Sequence, residues 1–151
     1  MTEPRLDSVQ CLGARGLHRM AYVEWGDPAN PRVLVCAHGL ARQGRDFDTL
    51  AAALCDGYRV VCPDTIGRGL SQWSPEPERE YCLAFYAKLA TALVDALGIE
   101  RFHWLGTSMG GAIGTVAAAT ALRGRIRRLV LNDNGPELAA PAMERIKAYA
   151  G

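Results

Sequence analysis

The chain has 151 residues, 49% of them hydrophobic and 22% charged, and a formal net charge of +1. These values predict one globular domain, since disordered chains are poorer in apolar residues and carry more net charge. The near-neutral balance predicts no attraction to nucleic acid or to a membrane surface. No segment resembles a signal peptide, and no apolar run approaches the ~18 residues of a membrane span, so we expect a cytoplasmic protein.

Strand and helix signals alternate along the chain. Residues 9–12 and 17–25 read as two strands joined by a Gly-rich turn, which predicts a hairpin. The later segments follow in the order strand (33–37), helix (47–54), strand (58–62), loop (64–78), helix (81–97), strand (102–105), helix (109–122), strand (129–132) and the start of a helix (137–151). This order predicts an α/β fold, with a mostly parallel sheet and helices on both faces.

The cysteines show no C-x-x-C spacing, and two of them lie in apolar strand runs, where cysteine behaves as a small hydrophobic residue. We therefore predict reduced thiols, no disulfide and no metal site. The cysteines are Cys11, Cys36, Cys55, Cys62 and Cys82.

The segment from Gly106 to Gly110 has the pattern G-x-S-x-G and lies between a predicted strand and a predicted helix. This is the sequence and setting of a nucleophile elbow, a sharp turn that lifts a serine hydroxyl above the sheet. The flanking glycines are needed because side chains would collide across so tight a turn. Backbone N–H groups at the following helix start would face a developing negative charge beside Ser108.

Three further motifs occur with the elbow in a fixed order. His38-Gly39-Leu40 follows the third predicted strand, Asp-Thr-Ile-Gly-Arg-Gly-Leu-Ser (64–71) follows the fourth, and Leu-Val-Leu-Asn-Asp-Asn-Gly-Pro (129–136) contains the last. The set resembles the N-terminal part of the α/β-hydrolase fold, of the lid-bearing bacterial kind that includes esterases and carbon–carbon bond hydrolases. The resemblance implies a core over residues 1–136 without its C-terminal strands, and a truncated lid segment over residues 137–151.

By this resemblance, Ser108 attacks the acyl carbon of a small-molecule substrate to form an acyl-serine intermediate. The N–H groups of Leu40 and Met109 form the oxyanion hole. No cofactor and no metal is implied. The supporting motif residues are His38, Gly39, Gly106 and Gly110.

No histidine follows Ser108, although the family's order places the triad histidine last. We assign His38 to the shape of the oxyanion loop, the alternative being that it is the general base. His103 precedes Ser108 by about 16 Å of extended strand and cannot be the base. His18 is expected at the surface of an early strand. Asp133 is either the triad acid or a cap at the lid entrance.

Several interpretations stay open beside the serine hydrolase. A truncated half-domain could act as a non-catalytic binding or assembly module, and the uncapped strand at 129–132 predicts self-association through an exposed sheet edge. Arg68 is either a buried ion-pair partner or exposed. A dinucleotide-binding turn at Gly106 is rejected, because the acidic residue expected ~20 positions later is absent.

Overall fold

A computed structural model describes residues 3–150. Six strands form one sheet in the order β1-β2-β4-β3-β5-β6. Strands β1 (Arg5–Gly13) and β2 (Gly16–Trp25) form the predicted antiparallel hairpin, and β2 pairs antiparallel with β4 (Arg59–Pro63). From β4 onward the sheet is parallel, through β3 (Val33–Ala37), β5 (Phe102–Thr107) and β6 (Ile126–Asn132). The predicted fold class is confirmed.

The helices lie on both faces of the sheet, as the alternating strand and helix signals predict. Helices α3 (Leu83–Ala96) and α4 (Met109–Ala119) pack on one face around Trp104, together with residues such as Val35 and Val61. Helix α1 (Asp48–Leu54), preceded by a 3₁₀ turn (Gly44–Phe47), covers the other face. Buried residues of β3 alternate between these two cores, which explains why the strand is apolar throughout.

Element boundaries differ from the predicted ones by a few residues. Helix α4 ends at Ala119 rather than at Leu122, and a short helix α2 (Pro77–Glu80) overlaps the end of the segment predicted as a loop. The last helix, α5, spans Ala140–Ala150. None of the helices over residues 3–150 is long and apolar enough to cross a membrane.

The predicted surface position of His18 is wrong. Its side chain is 4% exposed and its Nε2 lies 2.9 Å from Oε2 of Glu80, which is 2% exposed. Glu80 Oε1 also accepts a hydrogen bond from the Ala14 N–H at 3.2 Å. The hairpin is thereby held against α2, a contact between segments more than 60 residues apart in the chain that strand periodicity cannot show.

All five cysteines are free thiols; four are buried and Cys82 is exposed. A hydrogen bond with Cys36, together with burial, raises the pKa of the Cys62 thiol. We predict that iodoacetamide modifies Cys82 alone in the folded protein and all five cysteines after denaturation without reductant. Mass spectrometry counts the added groups, and three or fewer in the denatured chain would reveal a disulfide bond.

Strand β6 pairs with β5 on one side only, and Val130 on this edge strand is 49% exposed. Unpaired apolar edges recruit strands from other chains. We predict that the 151-residue chain self-associates, as measured by size-exclusion chromatography with light scattering. Val130→Lys should lower the apparent mass, whereas Leu70→Lys at an exposed loop position should not. A monodisperse wild-type monomer would contradict the prediction.

Candidate active site

The predicted site residues follow the carboxyl ends of neighbouring parallel strands, which meet at one edge of the sheet. His38 and Gly39 follow β3, Asp64 follows β4 and Ser108 follows β5. Asn132, at the end of β6, accepts a hydrogen bond from the Ser108 N–H at 3.0 Å. The topology therefore assembles the site from loops that are far apart in the sequence.

Ser108 has the strained backbone that the elbow motif predicts. Its φ is 52° and its ψ is −114°, and helix α4 begins at the next residue. A non-glycine residue held in such a conformation costs about 1–3 kcal/mol, so the surrounding structure must enforce it. The N–H groups of Gly111 and Ala112 both bond the Ser108 carbonyl. These bonds fix the serine at the helix start.

The two glycines of the motif let three backbone segments approach closely. A Cβ on Gly106 would collide with the backbone of Gly110, and a Cβ on Gly110 would collide with the backbone of Ala37 in β3. The Gly110 carbonyl also accepts a 3.0 Å hydrogen bond from the buried indole of Trp104. The elbow is thus packed directly on the neighbouring strand.

His38 holds the oxyanion loop through both ring nitrogens. Its Nε2 accepts a hydrogen bond from the Thr65 N–H at 2.9 Å, so its proton lies on Nδ1, which donates to the Gly39 carbonyl at 2.7 Å. The side chain is 1% exposed, and burial lowers its pKa. A neutral imidazole with both nitrogens bonded to the main chain has no free site for a proton from Ser108.

The Gly39 carbonyl belongs to the same peptide unit as the Leu40 N–H. Because His38 donates to this carbonyl, it orients and polarises the peptide whose N–H is one predicted oxyanion donor. The N–H groups of Leu40 and Met109 have no acceptor among the described residues. They remain available to an oxyanion.

Asp64 and Arg68 order the loop after β4. The buried carboxylate of Asp64 accepts the N–H groups of Gly44 and Leu70 at 2.7 and 2.8 Å. Arg68 is half-buried and has no acidic partner within 4.0 Å among the residues that the structure describes, so neither predicted role for it is correct. Its Nε donates to the Leu40 carbonyl at 2.9 Å, and its guanidinium lies over the rings of Tyr81 and Tyr86.

A mostly apolar cavity of about 270 Å³ lies beside the elbow. Ser108 lines it together with both predicted oxyanion residues. Three apolar side chains from residues 138–146 also line this cavity, so the segment predicted to begin a lid contributes to its wall. The lining residues include Leu40, Tyr86, Met109, Leu138, Met143 and Ile146. Size and polarity suit a short acyl chain.

A sequence model described as the alpha/beta hydrolase fold matches residues 32–149. The chain belongs to this family. The resemblance deduced from the four motifs is therefore confirmed, and the relatives of this α/β-hydrolase chain are themselves hydrolases.

Two curated relatives and one solved structure illustrate the similarity. The chain is 57% identical to the 3-hydroxybutyrate-oligomer hydrolase of Cupriavidus necator over 148 residues, 98% of this chain and 50% of that protein. It is 40% identical to a 2-hydroxy-6-oxononadienedioate/2-hydroxy-6-oxononatrienedioate hydrolase of Pseudomonas putida over 105 residues, 70% of this chain and 35% of that protein. An alpha/beta hydrolase from Novosphingobium aromaticivorans superposes with a TM-score of 0.85 at 39% identity, covering 99% of this chain and 50% of that one.

This α/β-hydrolase chain thus spans about half the length of the curated relatives it matches. The structure brings Ser108, Leu40 and Met109 to one cavity. Asp133 follows β6 with a φ of 64° and is exposed, and no side-chain hydrogen bond of its carboxylate is found within residues 3–150. His103 lies in β5 near its first residue, at the end opposite Ser108.

Sequence reasoning missed three sets of contacts at this candidate site. They are the hydrogen bonds of the Asp64 carboxylate, those of the Arg68 guanidinium, and the lining of the cavity by residues 138, 143 and 146. The spacing D-x-x-G-x-G-x-S predicts a turn at Asp64, but it does not specify which backbone groups the carboxylate accepts.

Burial of His38 predicts a pH dependence of stability. Because its pKa is lowered in the folded state, the unfolded chain binds more protons below the ordinary pKa of about 6.5. The free energy of unfolding should therefore fall as pH decreases from about 6.5 toward 5, by at most ~1.4 kcal/mol per pH unit for this group. Urea denaturation at several pH values measures the slope.

The variant His38→Gln should flatten this pH dependence. The pKa of His103 is also lowered, by partial burial and by Arg128, Arg127 and Arg32. His103→Gln is therefore the matched comparison, and it should remove a smaller share of the slope because His103 is far less buried. An unchanged slope in His38→Gln would contradict the prediction.

Proposed function

We propose that this chain carries the nucleophile half of a serine hydrolase that cleaves esters through an acyl-serine intermediate. One observation carries the proposal. Ser108 is held in a strained elbow conformation in the wall of an apolar cavity, which is also lined by two residues whose N–H groups have no acceptor within residues 3–150. Strained backbone conformations cluster at active sites, and in a nucleophile elbow the strained turn exposes the serine hydroxyl.

The chemistry follows from these groups. Ser108 Oγ would attack the carbonyl carbon, and its proton would pass to a general base. The carbonyl oxygen would gain the negative charge and accept hydrogen bonds from the Leu40 and Met109 N–H groups. The alcohol would leave with a proton from the base, and water would then release the acid from the serine. Asp133 is retained as the proposed triad acid, with the cap at the lid entrance as its alternative role.

The substrate class that we propose is a short ester of a hydroxy acid. The relative from Cupriavidus necator is named for hydrolysis of 3-hydroxybutyrate oligomers, whose units are joined by ester bonds. A cavity of about 270 Å³ with apolar walls is compatible with one short acyl unit beside Ser108. Cleavage of carbon–carbon bonds, named for the relative from Pseudomonas putida, is the competing reaction on the same elbow.

The alternative to a serine hydrolase is a non-catalytic binding or assembly role. In that case the same cavity would bind a small acyl ligand, or the exposed edge of β6 would serve assembly. For the location we propose the cytoplasm, because the five cysteines are unpaired thiols and a reducing compartment preserves them.

The experiment uses a longer form of the protein that continues past Gly151 with a strand, an acidic residue and a late histidine. Hydrolysis of p-nitrophenyl butyrate and of a 3-hydroxybutyrate dimer is measured, and mass spectrometry seeks an acyl group on Ser108. Ser108→Ala should lower the rate by about a thousandfold or more. Ser8→Ala, a serine-to-alanine change in the distant strand β1, should leave the rate unchanged. Activity that survives Ser108→Ala would remove this serine from the mechanism.

A further inference from the structure

The charge of Arg68 has no acidic partner within 4.0 Å in the described part of the chain, although it is half-buried. Its Nε and Nη1 donate to neutral oxygens, those of Leu40, Ile66 and the Tyr86 hydroxyl, all at 2.9 Å. Nη2 contacts only the Met109 sulfur, at 3.9 Å. Two of the five guanidinium N–H donors therefore lack an oxygen acceptor.

A polar cavity of about 570 Å³ adjoins this guanidinium. It is lined by residues 40–43, Asp46 and residues 67–69. The charged side chains among them are Arg42, Asp46 and Arg68. Arg42 and Asp46 pair at 2.6 Å and largely neutralise each other. The side chains that line the cavity therefore carry a net charge of +1, that of Arg68, which favours an anionic ligand. The carboxylate of Asp64 lies behind Gly69, outside the lining, and accepts the N–H groups of Gly44 and Leu70.

The polar cavity lies next to the apolar cavity of Ser108. Leu40 lines both, and Arg68 contacts Leu40, Tyr86 and Met109, which line the apolar one. A ligand with its acyl carbon at Ser108 can therefore extend past Leu40 toward Arg68. Such a ligand is apolar at one end and anionic at the other.

We propose that Arg68 binds a carboxylate of the substrate, so that the site prefers acyl compounds ending in a free acid over their neutral esters. The inference rests on the proposed function, because it takes the cavity of Ser108 as the acyl site. It adds a residue and a chemical class: Arg68 is the anchoring cation, and the preferred substrate is a carboxylated ester. The N–H groups of Nη2, which have no oxygen acceptor within residues 3–150, are the donors that a carboxylate oxygen can accept.

The test measures binding, in the 151-residue chain carrying Ser108→Ala, so that its outcome does not depend on turnover by this serine. The probes are the 3-hydroxybutyrate dimer as a free acid and its methyl ester, titrated by calorimetry. The acid should bind about tenfold or more tightly than the ester, a difference typical of one charged hydrogen bond. Raising the salt concentration should weaken binding of the acid only.

Variants separate recognition from structural support. Arg68→Met should remove the preference for the acid, and Arg68→Lys should retain part of it. Arg45→Gln, at an arginine that does not line the cavity, should change it by less than about threefold. A readout that does not require Arg68→Met to fold is the Arg68 Nε–Hε resonance in the ¹⁵N spectrum. This resonance is assigned by its loss in Arg68→Lys. The free acid should shift this resonance saturably, and the methyl ester should not.

Three results would overturn the proposal. The first is equal affinity for acid and ester in the Ser108→Ala chain that retains Arg68. The second is an equal loss of affinity for acid and ester when Arg68→Met is added. The third is an Arg68 resonance that does not shift with the acid while the Leu40 and Met109 amide resonances do. The last result remains decisive if Arg68→Met does not fold. Loss of hydrolysis in the longer form tests Ser108 separately, so the two proposals fail in distinguishable ways.

Discussion

The 151-residue chain is expected to hydrolyse p-nitrophenyl butyrate at least about a thousandfold more slowly than a longer form that supplies a triad histidine and acid. A serine hydroxyl is a weak nucleophile until a base accepts its proton. His38 cannot do so, because both of its ring nitrogens are bonded to the main chain. We expect the Leu40 and Met109 N–H groups, the proposed oxyanion donors, to sustain only the residual rate that an oxyanion hole gives without a base.

The comparison has an informative opposite outcome. If the short chain turns over rapidly and His38→Ala abolishes this activity, His38 is the base and the structural role assigned to it is wrong. His103→Ala is the matched control, since His103 lies at the far end of β5 and should not affect the rate. Initial rates at equal protein concentration, corrected for spontaneous hydrolysis, decide between these outcomes.

The variant Gly110→Ala is expected to lower the free energy of unfolding by at least about 2 kcal/mol, because overpacking a rigid site forces the backbone to move. Its new methyl group would collide with the Ala37 backbone, which cannot rotate away as a side chain could. Alanine is the better helix former by about 1 kcal/mol, so the clash must also outweigh that gain. Urea denaturation monitored by tryptophan fluorescence measures the difference.

Gly57→Ala is the control for this prediction. A Cβ at Gly57 would meet only the Leu54 carbonyl oxygen, at 4.0 Å, and its φ lies outside the left-handed region. The substitution should change the free energy of unfolding by less than about 1 kcal/mol. Comparable losses in the two variants would show that the elbow is not packed against β3 in the way the structure describes.

Much of the fold follows from local sequence signals. Apolar runs such as residues 33–37 predict strands buried on both faces, and the glycines around Ser108 predict a sharp turn, because these signals depend on neighbouring residues only. Once the strands are parallel, the loops that follow their carboxyl ends meet at one sheet edge. The strand order, in which β4 lies between β2 and β3, is not specified by these local signals.

The contacts that sequence reasoning missed are those between distant segments. Glu80 is buried beside His18, and Arg68 donates a hydrogen bond to the carbonyl of Leu40, 28 residues earlier in the chain. Neither pairing has a periodic signal, and a polar residue on an outer strand is more often exposed. The contribution of Met143 and Ile146 of α5 to the wall of the Ser108 cavity likewise depends on the tertiary fold, although the helical pattern of this segment is visible in the sequence.

The hydrogen-bond chain through His38 has a direction that the backbone dictates. The Thr65 N–H can only donate, so a second proton on the imidazole would set two donors face to face at Nε2. Protonation would therefore push the Thr65 loop and the oxyanion loop apart. In any enzyme that contains this chain, activity would then fall at low pH partly because these two loops separate. That part of the acidic limb of the pH–rate profile would not report titration of the general base.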